Sequence, residues 1–465
     1  MGLGDNNPMM RAGSKVVAVL ALLGAPAGAF QEGPAKVYQA PDREPTPEET
    51  LILEYMNRFR ADPSAEADVL APPGRQMRGV DLKMFRDEMR MLKPMPPLVF
   101  NLELLDSARK HAYYMIHNGL GHDEQPGKIG FTGASPGDRV RAAGYRGGGG
   151  AENAYRDSGG PLSSHDGFVI DAGPGGPGGM QPGRGHRRNM IGPHREVGPG
   201  ALPHGKDRLS VIHNFGSRSA RMAGGVMYID LNGNGFYDVG EGAGSVAISS
   251  SDGASGASWK SGAYALDLKG QGAVVLTAAL DGEKHTKAFA AGPDNVKFDW
   301  AVPVEVPLRK ADRLLAAVEK AGEKNAQARV NLYVNTRGLY LDAERRKKVA
   351  ELTAEVGLAL EARRKAVADA IESDAAGLQK TIDENRKDYR GTDADRWFED
   401  AETTGKLKRG VAAFLAKPRP TLQERRQLVA ALEATAKGMK TPHWISAVEA
   451  LASKVRENPS EGATR

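Results

Sequence analysis

The chain has 465 residues, 40% hydrophobic and 26% charged; this is too long for one ordinary domain, and size alone predicts about two to four folded units. Net charge is only +5 without a polybasic block, which argues against a nucleic-acid surface, and no apolar run reaches the roughly 20 residues of a spanning helix, which argues against a membrane-embedded body or a transmembrane segment in the mature chain. Cysteine is absent, so disulfides, thiolate metal sites and lipid attachment at cysteine are excluded, and any metal must be held by histidine and carboxylate.

In chain order, Arg11 and Lys15 precede the apolar run Val16 to Leu23, and Ala27-Gly28-Ala29 follows as a small-residue cleavage site. Residues 1–29 therefore read as a signal peptide, with a secreted, periplasmic or cell-envelope destination; Gly24 and Pro26 argue against the other reading, a short buried helix. Residues 30–45 lack periodicity and are expected to form a flexible leader. A fold begins at Thr46-Pro47-Glu48-Glu49, a capping box with proline at the first helical position. Leu51, Ile52, Tyr55, Met56 and Phe59 continue it as an apolar stripe, and Asp62-Pro63 ends it. Leu104, Leu105, Ala108, Ala112 and Met115 predict a second helix from Leu102 to Asn118, stopped by Gly119. Glycine density from Gly144 to Gly185 predicts long loops around some short element, and Val197 to Gly216 reads as strands. Residues 223–305 alternate small and β-branched side chains with turn signals and predict a small antiparallel β-sandwich. Beyond them, Val349, Leu352, Val356, Leu360, Val367, Ile371, Leu378 and Ile382 keep helical spacing; residues 306–460 are expected to be an all-α bundle or long hairpin, with a cap at Thr421-Leu-Gln-Glu424 and a last helix near Trp444 to Val455. Its mixed-sign charges fit a solvated face.

Within residues 46–218 a succession of short motifs stands out: Asn57-Arg58-x-Arg60-x-Asp62-Pro63, Pro97-Leu98-x-Phe100-Asn101, Gly121-His122, Ser135-Pro136-x-Asp138-Arg139, Ala151-Glu152-Asn153, Ile170-Asp171-x-Gly173, and Arg184-Gly185-His186-Arg187-x-Asn189. This order resembles the CAP superfamily (cysteine-rich secretory, antigen 5 and pathogenesis-related, SCP-like) in its bacterial and protist form. The resemblance implies an α-β-α sandwich with a surface cleft in which two histidines face two acidic residues. Motif by motif these fall on His122, Glu152 and His186, with Asp171 at the position where many members carry Glu; His165 and Asp166 are nearby alternatives. Such a set suits a divalent cation such as Zn²⁺, the carboxylates adding ligation or holding water, and it also suits a plain hydrogen-bonded network that fixes the loops. The family is known better for extracellular binding of lipids, sterols or other partners than for catalysis. The expected function is thus an exported ligand-binding or cell-envelope protein. The alternative is a metal-dependent hydrolase, such as a peptidase, with His122 and His186 as ligands and Glu152 as general base. A purely structural surface protein is the third reading.

Two motifs carry less than they promise. Gly133-Ala134-Ser135-Pro136-Gly137 matches a nucleophile elbow but follows no strand, and Ser135 reads as an N-cap; Gly147 to Gly150 lacks the context of a phosphate loop and reads as flexible. His111 and His117, six apart on a helix, are structural or exposed. The sharpest local motif is Asp230-Leu-Asn232-Gly-Asn234-Gly235-Phe236-Tyr-Asp238-Val-Gly-Glu241. It fits a twelve-residue calcium loop, with oxygen side chains at Asp230, Asn232, Asn234, Asp238 and Glu241, the turn glycine at Gly235, and a carbonyl expected from Phe236; the competing reading is an Asx-rich β-turn. Its strand context and Gly262-Ala263-Tyr264 resemble the SdrD B-like calcium-loop modules of bacterial surface proteins, which implies a structural Ca²⁺.

Overall fold

The computed structural model describes residues 37–457 except positions 41, 375, 376, 418, 419 and 440; the expected signal peptide lies outside them. Helix α1 (Pro47–Ala61) starts at the predicted box, in which Thr46 Oγ1 accepts from the Glu49 amide at 3.2 Å and the Glu49 carboxylate accepts from the Thr46 amide at 2.8 Å. Asp62 ends α1 and caps α2 (Pro63–Leu70), which is followed by α3 (Leu82–Arg90), strand β1 (Val99–Phe100) and α4 (Leu102–Asn118). Then come α5 (Pro136–Ala142), β2 (Gly148–Ser158), α6 (Pro161–Ile170), α7 (Gly185–Ile191), β3 (Glu196–Pro203) and β4 (Leu209–Ser217). The end of the leader is pinned: Asp42 and Glu44 carbonyls accept from Arg109, which also binds Glu49 in a buried ion pair.

These strands form one sheet in the order β1-β3-β4-β2, parallel only between β1 and β3. Alternation divides β4 between two cores: Val211 and Phe215 join α1, α2, α3, α6 and α7, whereas Ile212 joins Ala108, Ala112 and Met115 of α4. Helices thus pack on both faces. The α4 face is tight because Gly198 and Gly200 of β3 lie against it; a Cβ on Gly198 would sit 2.1 Å from the Leu104 carbonyl carbon.

The expectation of loops across 144–185 is corrected. That segment holds the eleven-residue β2 and the ten-residue α6, and Gly148 to Gly150 begin the strand instead of a flexible loop. Several glycines are there for contact: a Cβ on Gly147 would lie 2.1 Å from Tyr145 Oη, and one on Gly216 2.3 Å from the same atom.

The following region carries β5 (Met222–Tyr228), β6 (Ala247–Ser250), β7 (Ser255–Ala257), β8 (Ala263–Asp267), β9 (Val274–Leu280), β10 (Glu283–Phe289), β11 (Val296–Lys297) and β12 (Trp300–Ala301). One sheet runs β10-β9-β6-β7; in the other, β5 pairs β8 antiparallel but β11 and β12 parallel. The region is therefore mixed and not purely antiparallel, because the chain leaving β10 crosses to the second sheet and enters along β5 in its own direction, as parallel pairing requires. Helices α8 (Glu305–Ala321), α9 (Ala326–Thr336), α10 (Ala343–Glu372), α11 (Leu378–Arg386), α12 (Asp395–Leu415), α13 (Leu422–Gly438) and α14 (Pro442–Glu457) complete the chain. Val306, Ala311, Leu315 and Val318 of α8 belong to the core of the β-rich region, whereas Leu360, Phe398, Leu432 and Val448 form a separate one.

Candidate functional site

His122 lies on the loop after α4, and its imidazole is half exposed; Glu152 projects from β2 and is almost fully buried. His122 Nδ1 meets Glu152 Oε1 at 3.0 Å. The other carboxylate oxygen accepts from Arg139 of α5 at 2.7 Å, and this guanidinium is buried 3.6 Å from Glu124. Glu124 in turn bonds His111 Nδ1 at 2.9 Å and the Thr132 amide at 2.6 Å, while His111 Nε2 sits 3.0 Å from the Gly121 carbonyl. Burial would raise the Glu152 pKa, but the His122 hydrogen bond and the charges of His111 and Arg139 outweigh it and hold the carboxyl below its usual range. The same hydrogen bond raises the His122 pKa.

The second pair lies at the junction of α6 and α7. Asp171 is the left-handed C-cap of α6 (φ 60°) and is fully buried. Its carboxylate accepts from His186 Nδ1 at 2.8 Å and from the His186 amide at 3.0 Å. Of the alternatives, His165 is committed to Glu66 at 2.8 Å, and Asp166 forms a bidentate pair with Arg75. Asp171 is therefore the acidic partner of His186. The two halves meet through Asn153, which donates to the His186 carbonyl at 3.2 Å and accepts from Asn189 at 2.9 Å.

The four residues thus come as two carboxylate–histidine pairs. Among the described residues, no group of three or more histidine, aspartate or glutamate side chains is arranged to hold a metal ion. A carboxylate oxygen only accepts, so each pairing puts the imidazole proton on Nδ1 and leaves Nε2 as a lone pair. Neither Nε2 has a hydrogen-bond partner among the described residues. This is the arrangement in which histidine ligates through one nitrogen while a carboxylate orients the other, so each imidazole is of the donor type that a divalent cation takes. Each Glu152 oxygen accepts one hydrogen bond, from His122 or from Arg139, and keeps a second lone pair.

In the loop after β5, Asp230 accepts from the Asn234 and Gly235 amides at 3.1 and 2.9 Å, and buried Glu241 accepts from the Leu231 and Asp238 amides, both at 2.9 Å. The side-chain amides of Asn232 and Asn234 each donate to Asp238 at 2.7 Å. Among the described residues, none of the three carboxylates has an ion-pair partner, and the loop's side-chain donors are oxygens, the type that a hard cation such as Ca²⁺ takes. Phe236 turns outward and stacks on Tyr55 of α1.

Sequence reasoning missed His111, Glu124 and Arg139 as one buried network, and missed His213. His213 lies on β4 between Phe168 and Phe215, is fully buried, and neither ring nitrogen has a hydrogen-bond partner among the described residues. Its signal was the alternation Val211, His213, Phe215, which places it on the buried face. Ser135 does cap α5, with Oγ bonded to Asp138, while His117 is exposed.

No curated protein and no solved structure matches the chain. Residues 53–213 match the family model of CAP, the cysteine-rich secretory protein family, a span that contains both carboxylate–histidine pairs. Residues 53–213 are therefore similar to a CAP domain, and a β-rich and a helical region follow them.

Proposed function

We propose that this is an exported binding protein of the extracellular space or cell envelope, whose CAP cleft takes a divalent cation, Zn²⁺ by donor type, on His122 and His186. The observation that carries this is that each histidine has Nδ1 pinned by its own carboxylate and Nε2 unengaged. Glu152 and Asp171 orient the imidazoles, and the bound ion would supply a Lewis-acidic anchor for an extracellular ligand such as a lipid or envelope component. In this reading the loop 230–241 binds Ca²⁺ and stabilises the β-rich region in place of disulfides. Export rests on the signal pattern of residues 1–29. The hydrolase alternative has weaker support, because Glu152, its candidate base, is committed to Arg139 and His122.

The test is elemental analysis of the purified full chain against His122→Ala and His186→Ala. Near-stoichiometric zinc in the wild type and its loss in both variants supports the reading; unchanged metal content in both rejects it.

A further inference from the structure

Phe236, the seventh position of the 230–241 loop, packs that loop against α1, beside Tyr237, whose hydroxyl donates to the Pro47 carbonyl at 3.4 Å. The Phe236 ring stacks on Tyr55 of α1 at 5.6 Å between centroids, and Tyr55 packs against the His165 ring of α6 at 5.4 Å. Beside this stack the Arg58 guanidinium stands 4.9 Å from the centroids of both Tyr55 and Phe236. Arg58 makes two hydrogen bonds to Glu66, at 2.6 and 2.8 Å, and Glu66 bonds His165 at 2.8 Å. Two parallel contacts, one of rings and one of charges, therefore lead from the loop to His165. The helix that carries His165 ends at Asp171, the partner of His186.

We infer that calcium binding at residues 230–241 orders α6 and thereby steadies the His186 side of the CAP cleft. This rests on the calcium reading of the loop. The physical link is the Phe236 backbone: its carbonyl is the expected seventh-position ligand, so binding fixes the peptide that aims the ring against Tyr55 and Arg58. Glu66 then transmits a defined geometry, because one carboxylate serves both Arg58 and His165. Burial would raise its pKa, but the hydrogen bonds and charges of Arg58 and His165 bring it down to about 2, which favours the anion that both partners need.

The experiment uses the full chain, with Ca²⁺ binding followed by calorimetry and backbone hydrogen exchange followed across α6. Saturating Ca²⁺ is expected to slow α6 exchange about tenfold, within the range usual for linked sites. Phe236→Leu keeps the main-chain ligand but removes the ring; it should still bind Ca²⁺ while the slowing falls below about twofold. Arg58→Gln repeats the test from the CAP side. Calcium binding without any change in α6 of the wild type overturns the link and leaves the calcium loop standing. Full slowing in both variants also overturns it, because the effect then travels elsewhere. Absence of calcium binding in the wild type overturns the calcium reading itself, and the link with it.

Discussion

Glu152 and Arg139 form a buried ion pair at 2.7 Å, and removing one partner of such a pair leaves an uncompensated charge that costs about 3–5 kcal/mol. Glu152→Gln should therefore lower stability by that order in denaturant unfolding, and a Glu152→Gln, Arg139→Met double variant should recover part of the loss. A second residue sets an acid limit. Burial, with help from the nearby His165 and His186, pushes the His213 pKa well below its ordinary 6.5. The unfolded chain then takes the proton first, so this contribution to stability is complete above pH 6.5 and is lost as pH falls, at up to about 1.4 kcal/mol per unit. The protection of β4 amides, corrected for the pH dependence of intrinsic exchange, should fall between pH 6.5 and 5, and His213→Phe should flatten that slope; an unchanged slope would point to another group. At this scale the motif Asn57-Arg58-x-Arg60-x-Asp62 was legible as a pattern but not as a set of roles. Asn57 exchanges hydrogen bonds with both the amide and the carbonyl of Leu98, Arg58 pairs with Glu66, Arg60 donates to four backbone carbonyls, and Asp62 caps α2. All those partners except the α2 cap are distant in sequence or depend on tertiary packing, so spacing could not name them.

Among elements, the caps were the most legible features, because a capping box is satisfied within four residues. Thr46, Ser135 and Thr421 each make theirs. What failed was the reading of proline and glycine as punctuation. Pro63 does follow the end of α1, but it is also the first residue of α2, since Asp62 serves both helices. The glycines around β2 and β4 read as looseness, whereas Gly147 and Gly216 make room for the Tyr145 ring. Gly198 and Gly200 act likewise between β3 and α4, where an added Cβ would overlap the α4 backbone at 2.1 and 2.6 Å. Neither helix backbone nor central strand can yield cheaply in a close-packed interior. Gly198→Ala should thus cost about 3 kcal/mol or more, at the upper end of overpacking losses, whereas Gly185→Ala, with open space around it, should cost under 1 kcal/mol, about the scale of surface changes. Thermal unfolding of the two variants compares them directly.

For the whole molecule, the order of a CAP-like unit, a β-rich unit and a helical tail was visible in composition and motif, and the family match covers the first of these. What composition could not show is where one core stops. A change from β-branched to Ala, Leu, Glu and Lys near residue 306 marks a change of secondary structure, yet Val306, Ala311, Leu315 and Val318 are buried among the strands with Leu276, Phe298 and Trp300. Periodicity says which face of α8 is apolar but not what it faces. Leu315→Ala in the full chain should then cost about 2–5 kcal/mol, the usual loss for a buried leucine, and the strands should feel it. Amide exchange across β9 should quicken in that variant, whereas Leu432→Ala, which opens the separate helical core, should leave β9 unchanged. If β9 ignores both substitutions, α8 contributes nothing to the β-rich region and that unit ends at the composition boundary after all.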